Sequence, residues 1–279
     1  MKSPKAYLES TLCVADDAKL ISQVELWSIS SRVFDLFGAD TETSIGLQRA
    51  AELNSLSYAL DQCRLDLLAP NEIQSTLSDY SREVFELYIH CAKLSLFSHT
   101  FRGSSQRRTT SADTLRGLER FELYAIDSAL TILRAVTWEG KIQAYLEMLP
   151  SYFGTMIAFA FVFLVKAFSQ DNNSCGLDKS DVARTLKRLV ETFGTCAARV
   201  QPKHPLQSVT KSLNIAMKRF SRFDASDDEQ MTTAQDENVF SFDDPGTDLF
   251  RMGDIGVHNS LFHTPIGGFY GSSWDLPNL

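Results

Sequence analysis

The chain has 279 residues, with 27 Lys+Arg against 35 Asp+Glu, five Cys and eight Pro. Residues 224–279 hold eleven of the acids and one Arg, a net charge of −10, so residues 1–223 carry a net charge of +2. That excludes a uniformly basic nucleic-acid coat and a generally acidic solvating chain. A body of this size buries about 70% of its unfolded surface and needs no disulfide or metal staple.

The predicted elements of residues 1–223 are helices. From Asp17 to Phe37 the apolar positions Leu20, Val24, Trp27, Phe34 and Phe37 follow helical spacing, and Gly38 is placed as the C-terminal stop. A second helix is predicted over Ser44–Leu68 through Leu47, Leu53, Leu56, Leu60 and Leu67, broken by Ala69-Pro70-Asn71. In the third, Leu77, Tyr80, Val84, Leu87, Cys91 and Leu94 alternate by threes and fours. After a polar link over 103–113, the fourth carries Leu115, Leu118, Phe121, Ala125, Ile132 and Val136.

Pro150 marks the start of a fifth helix, apolar nearly all round and expected at the centre of the bundle. Read as Ser151–Val165 it would span roughly 22 Å, short of the ~30 Å of a bilayer core, so a buried soluble helix is expected rather than a membrane span. Residues 170–174 form a turn. The sixth helix shows Val182, Leu186, Leu189, Phe193 and Val200; Pro202 and Pro205 bracket the next turn; the seventh shows Leu206, Val209, Leu213, Phe220 and Phe223. No strand alternation and no fixed repeat occur, which makes the fold class all-α, a multi-helix bundle around the helix at about 151–168.

After Phe223 the helical spacing is lost, and six of the 14 Gly fall in the last 56 residues. Residues 224–279 therefore read as a disordered acidic tail with aromatic anchors. Its candidate activation core is Phe240, Phe242, Asp243, Asp244, Leu249 and Phe250, whose acidic neighbours keep the aromatics solvated and able to enter a partner's groove. Residues 176–223 carry ten basic and three acidic side chains, and Arg184, Lys187, Lys211 and Lys218 mark a basic face on which the tethered tail could fold back.

Chemistry-bearing patterns are sparse. Cys13, Cys63, Cys91, Cys175 and Cys196 include no CxxC pair, and the five His include no HExxH, so no metal site and no cofactor are expected. His90 and His99 lie nine residues apart and so point to opposite sides of one helix. Asp16-Asp17 sits at a helix start, where the dipole favours carboxylates. There is no GxSxG or P-loop, and Gly267-Gly268-Phe269-Tyr270-Gly271 follows no predicted strand. An enzyme is not expected, and the N-terminus leads into no signal-peptide h-region.

The segment from Asp17 to Leu26 resembles the opening helix of the fungal-specific regulatory domain of zinc-cluster transcription factors. Pro150-Ser151-Tyr152 running into Phe159–Lys166 is similar to that family's Pro, Tyr and apolar helix. The Leu-rich helix from Tyr80 to Phe97 and the His204-Pro205 turn fit as well. The resemblance covers roughly residues 10–223 and implies an α-helical regulatory domain at 1–223 followed by an activating acidic tail at 224–279. It also implies nuclear localisation, with the cytoplasm as the alternative, and contacts with coactivator or other transcription-machinery proteins.

The family's six-cysteine DNA-binding cluster has no counterpart among these cysteines, so no direct DNA contact by this chain is expected, and no membrane partner. The sequence-based expectation is thus a regulatory and activation portion working through protein contacts, with small-molecule sensing as a further input. The rival readings are an all-α enzyme with a ligand cavity in the bundle and a peripheral membrane adaptor using Tyr152–Phe168.

Overall fold

The computed structural model describes residues 14–38, 45–68, 78–102, 112–138, 140–169 and 179–227. Among them are eight helices and no strand: α1 (Ala15–Phe37), α2 (Ala50–Leu68), α3 (Asp79–Ser98), α4 (Ala112–Thr137), α5 (Gly140–Ala144), α6 (Ser151–Ser169), α7 (Lys179–Ala197) and α8 (Pro205–Asp227). Single 3-10 turns precede α2, follow α3 and precede α6. The all-α expectation holds.

Local chemistry sets the helix ends. The Val14 N–H donates to the Asp17 carboxylate at 3.1 Å, so one of the two acids at the start of α1 satisfies an N-terminal donor. Gly38 ends α1 at φ +64° with its N–H on the Phe34 carbonyl at 2.7 Å, the conformation an L side chain resists. Ser78 caps α3, its hydroxyl accepting from the Ser81 N–H at 3.1 Å. Pro205 opens α8, and the His204 ring nitrogen Nδ1 accepts from the Leu206 N–H at 3.2 Å.

Two helices hold the bundle together. α4 packs against α3, α6 and α7, and the positions Leu118, Phe121, Ala125, Ile132 and Val136 that the periodicity marked are buried, together with Ile126, Ala129, Leu130 and Leu133, which it did not mark. α6 packs chiefly on α4 and α8, with further contacts to α3 and α7, which puts the most apolar helix among four neighbours. Phe153, Ile157, Phe161 and Leu164 of α6 are fully enclosed. Phe101 meets Phe163 edge-on at 4.8 Å, tying the turn after α3 to the same core.

Four expectations need correction. α6 runs to Ser169 rather than Val165, and its 19 residues cover about 28 Å. Its Ser151–Phe168 window is long and apolar enough to cross a membrane, so shortness is no argument; half of that window is buried inside the bundle. Val200 is not on the sixth predicted helix, because α7 ends at Ala197 and the Arg199 N–H closes a tighter turn on the Cys196 carbonyl. α5 and the 3-10 turn at Leu146–Met148 have no counterpart among the predicted elements, being too short to display a period, although Ile142 and Leu146 are buried.

The fourth correction concerns α1. Leu20, Val24, Trp27 and Phe34, four of the five positions expected to face the core, are 58%, 44%, 42% and 50% exposed, and the fifth, Phe37, is half-buried. The inward face is Ala18, Ser22, Leu26, Ile29 and Val33. At about 100° per residue the two stripes lie on roughly opposite sides of the helix. The inner stripe carries the smaller side chains, so α2 and α3 approach closely, and the Cys63 thiol of α2 bonds the Ser22 carbonyl at 3.5 Å.

Candidate functional site

The activation-tail residues Phe240, Phe242, Asp243, Asp244, Leu249 and Phe250 lie outside the described residues. The basic-face residues are within them. Arg184 and Lys187 stand on the exposed side of α7, Lys211 and Lys218 on that of α8. These helices pack together, with the Thr210 hydroxyl on the Phe193 carbonyl at 3.3 Å and Gln207 Nε2 on the Ala197 carbonyl at 2.6 Å.

Arg184 belongs to a structured cluster. Its guanidinium bonds one oxygen of Asp181, while Arg134 of α4 bonds the other at 2.5 Å. Those two cations hold the Asp181 carboxyl below its ordinary range, through hydrogen bonds from Arg134 first and Arg184 second. Arg184 and Arg188 both lie over the Trp138 ring, 5.7 and 4.1 Å from its centroid. Arg188 Nε also reaches the Thr137 carbonyl at 3.4 Å. The sequence marks Arg184 of this cluster but not Arg134, Asp181 or Trp138, the last of which sits one residue past the end of α4 and outside every periodic segment.

From Arg188 an open groove of about 480 Å³ runs between α7 and α5, lined by Gln143, Glu191, Thr192, Thr195 and, at its far end, Arg199. Arg199 pairs with Glu147 at 2.8 Å and reaches the Cys196 sulfur at 3.4 Å.

The second surface is the outward stripe of α1. Trp27 is its centre, meeting the Tyr152 ring at 5.3 Å and the Tyr88 ring at 6.1 Å, both edge-on. Tyr88 in turn packs on Phe153 at 4.4 Å. Burial pushes the Tyr88 hydroxyl up to about 12 and holds that of Tyr152 well above its ordinary value, so both stay neutral. At Trp27 the apolar stripe rests on an uncharged aromatic floor.

Two histidines are largely buried. His99 stacks on Phe37 at 5.2 Å, and burial, with Arg102 adding to it, lowers its pKa to about 4. His90 is lowered by burial, and its Nδ1 has no hydrogen-bond partner among the described residues. Beside it, Arg64–Glu86 at 2.7 Å and Lys93–Asp61 at 2.6 Å link α2 to α3. Cys63, Cys91 and Cys196 are buried thiols; Cys13 and Cys175 lie outside the described residues. Among the described residues no three His, Cys, Asp or Glu side chains gather closely enough to hold a metal ion.

The chain is similar to the transcriptional activator of proteases prtT of Emericella nidulans, at 27% identity over 237 residues. The match covers 81% of this chain and 35% of that protein, so the chain spans about a third of its relative's length. No family model matches the chain, and no solved structure does. The similarity supports a transcription-factor role of fungal type.

Proposed function

We propose that this chain is the regulatory and activation portion of a fungal transcription factor, acting in the nucleus through contacts with coactivator or other transcription-machinery proteins. The observation that carries this reading is the similarity to a transcriptional activator across four-fifths of the chain. The outward stripe of α1 supports action by protein contact, since contiguous exposed apolar surface marks interaction sites in soluble proteins. The acidic and aromatic composition of residues 224–279 supports an activating role. In this reading the DNA contact comes from outside these residues, and a small-molecule effector is a further input.

The test fuses the full chain to a foreign DNA-binding domain and reads a reporter in a fungal host. Activation above the DNA-binding domain alone is expected. Replacing Phe240, Phe242, Leu249 and Phe250 with Ala, or Asp243 and Asp244 with Asn, should remove most of it. A reporter that stays at background overturns the proposal, and activity indifferent to those changes removes the activation core from it.

A further inference from the structure

We infer that the groove between α5 and α7 docks an extended acidic segment of a partner protein. Three features point there. Arg188 of α7 and Arg199, in the turn just past the end of α7, stand at its two ends, eleven residues apart, which at a near-helical rise is about 16 Å. An extended peptide covers that distance in about five residues. Between them Thr192 and Gln143 present a hydroxyl and an amide suited to the peptide backbone, while the Thr195 hydroxyl, which donates to the Glu191 carbonyl at 3.0 Å, offers its oxygen as an acceptor.

The cation at the Arg188 end is pre-organised and short of a counter-charge. Trp138 supports the guanidinium at 4.1 Å, and its Nε is spent on the Thr137 carbonyl. Arg188 has no carboxylate partner among the described residues, and Lys187 adds a second exposed cation beside it. The same cluster already shows the recognition in miniature: the two oxygens of Asp181 take one guanidinium each, from Arg134 and Arg184. Asp181 is thus taken by Arg134 and Arg184, and an incoming acid supplies the carboxylate for Arg188. At the other end Arg199 is held by Glu147 at 2.8 Å but has five donors, enough for a second acceptor.

Glu191 lines the middle of the groove and sets the expected pattern. Carboxylates belong at the two ends of the bound segment, about five residues apart, with uncharged residues between. The same acid limits binding to a phosphate backbone, whose charge recurs at every nucleotide. The inference rests on the groove alone and does not depend on the transcription reading.

The experiment is fluorescence anisotropy with the full chain and a fluorescein-labelled peptide bearing aspartates five residues apart and Ser or Ala between them. Saturable binding at micromolar to submillimolar concentration is expected, weakening as salt rises. Arg188→Gln and Arg199→Gln should each weaken it about fivefold or more, whereas Glu191→Gln should tighten it by about twofold or more. This opposite sign separates a groove effect from a loss of folding. The inference is overturned by no binding at about 1 mM peptide, by equal binding of the Asn version of the peptide, or by Glu191→Gln leaving affinity unchanged. A DNA duplex oligonucleotide bound more tightly than the peptide overturns it in favour of a nucleic-acid surface.

Discussion

Arg102 ties off α1 from 65 residues away: its Nη1 donates to the Phe37 carbonyl at 2.6 Å, and its Nη2 to the Gly38 carbonyl at 2.8 Å. These are carbonyls that a helix end leaves without partners, and a cation suits the negative end of the dipole. Arg102→Ala should cost about 1–3 kcal/mol, a fall in Tm of roughly 2–10 °C for a body of this size. Arg102→Lys should recover only part, since one ammonium replaces a two-pronged fork. Thermal melts followed by circular dichroism check this; a melt unchanged in Arg102→Ala would show the bonds to be dispensable.

His99, stacked on Phe37 beside that arginine, gives the bundle a pH dependence. Its folded pKa of about 4 lies below the unfolded value of about 6.5. The unfolded chain therefore takes up the proton first, and stability falls as pH drops from about 6.5 towards 4. The stability contributed above that window and lost within it is roughly 3 kcal/mol. Urea titrations at pH 7, 6, 5 and 4 should show the decline, and His99→Gln should flatten it. Equal pH slopes in the two proteins would remove His99 as the cause.

The two faces of α1 should respond unequally to truncation. Leu26 is 2% exposed, and Leu26→Ala should cost about 2–5 kcal/mol. Leu20→Ala on the outward stripe should change stability by less than about 0.5 kcal/mol. Denaturant midpoints at constant m-value decide it. A large loss from Leu20→Ala would mean that this face is covered after all.

Gly38 and Gly194 form a control pair, because a Cβ built at either meets no atom within 4 Å. Gly38 has φ +64° and ψ −174°, a region almost reserved for glycine, so Gly38→Ala should cost about 1–3 kcal/mol from the backbone alone. Gly194 sits inside α7 with ordinary helical geometry, and Gly194→Ala should stabilise by about 0.5–1 kcal/mol. Shifts of the same sign in the two melts would contradict the backbone argument.

The helices could be located from the sequence because the angle of a side chain around a helix depends only on counting residues. Leu53, Leu56 and Leu60 in α2, or Leu118, Phe121 and Ala125 in α4, mark a single face, and that face is buried. Gly38 and Pro205 could be placed for the same reason, since their effects act within one turn. α1 carries two apolar stripes, and counting cannot choose between them. The outward one, with Leu20, Val24, Trp27 and Phe34, is the bulkier, yet the stripe containing Ala18 and Ser22 turned inward because small side chains let α2 and α3 come close. Burial is decided by the shape of the neighbour as well as by the apolarity of the residue. The same holds for charge: Arg134, Asp181, Arg184 and Arg188 are ordinary surface residues until the packing of α4 on α7 brings them around Trp138. Arg134 and Asp181 are 47 residues apart in the chain, a separation over which only tertiary packing acts.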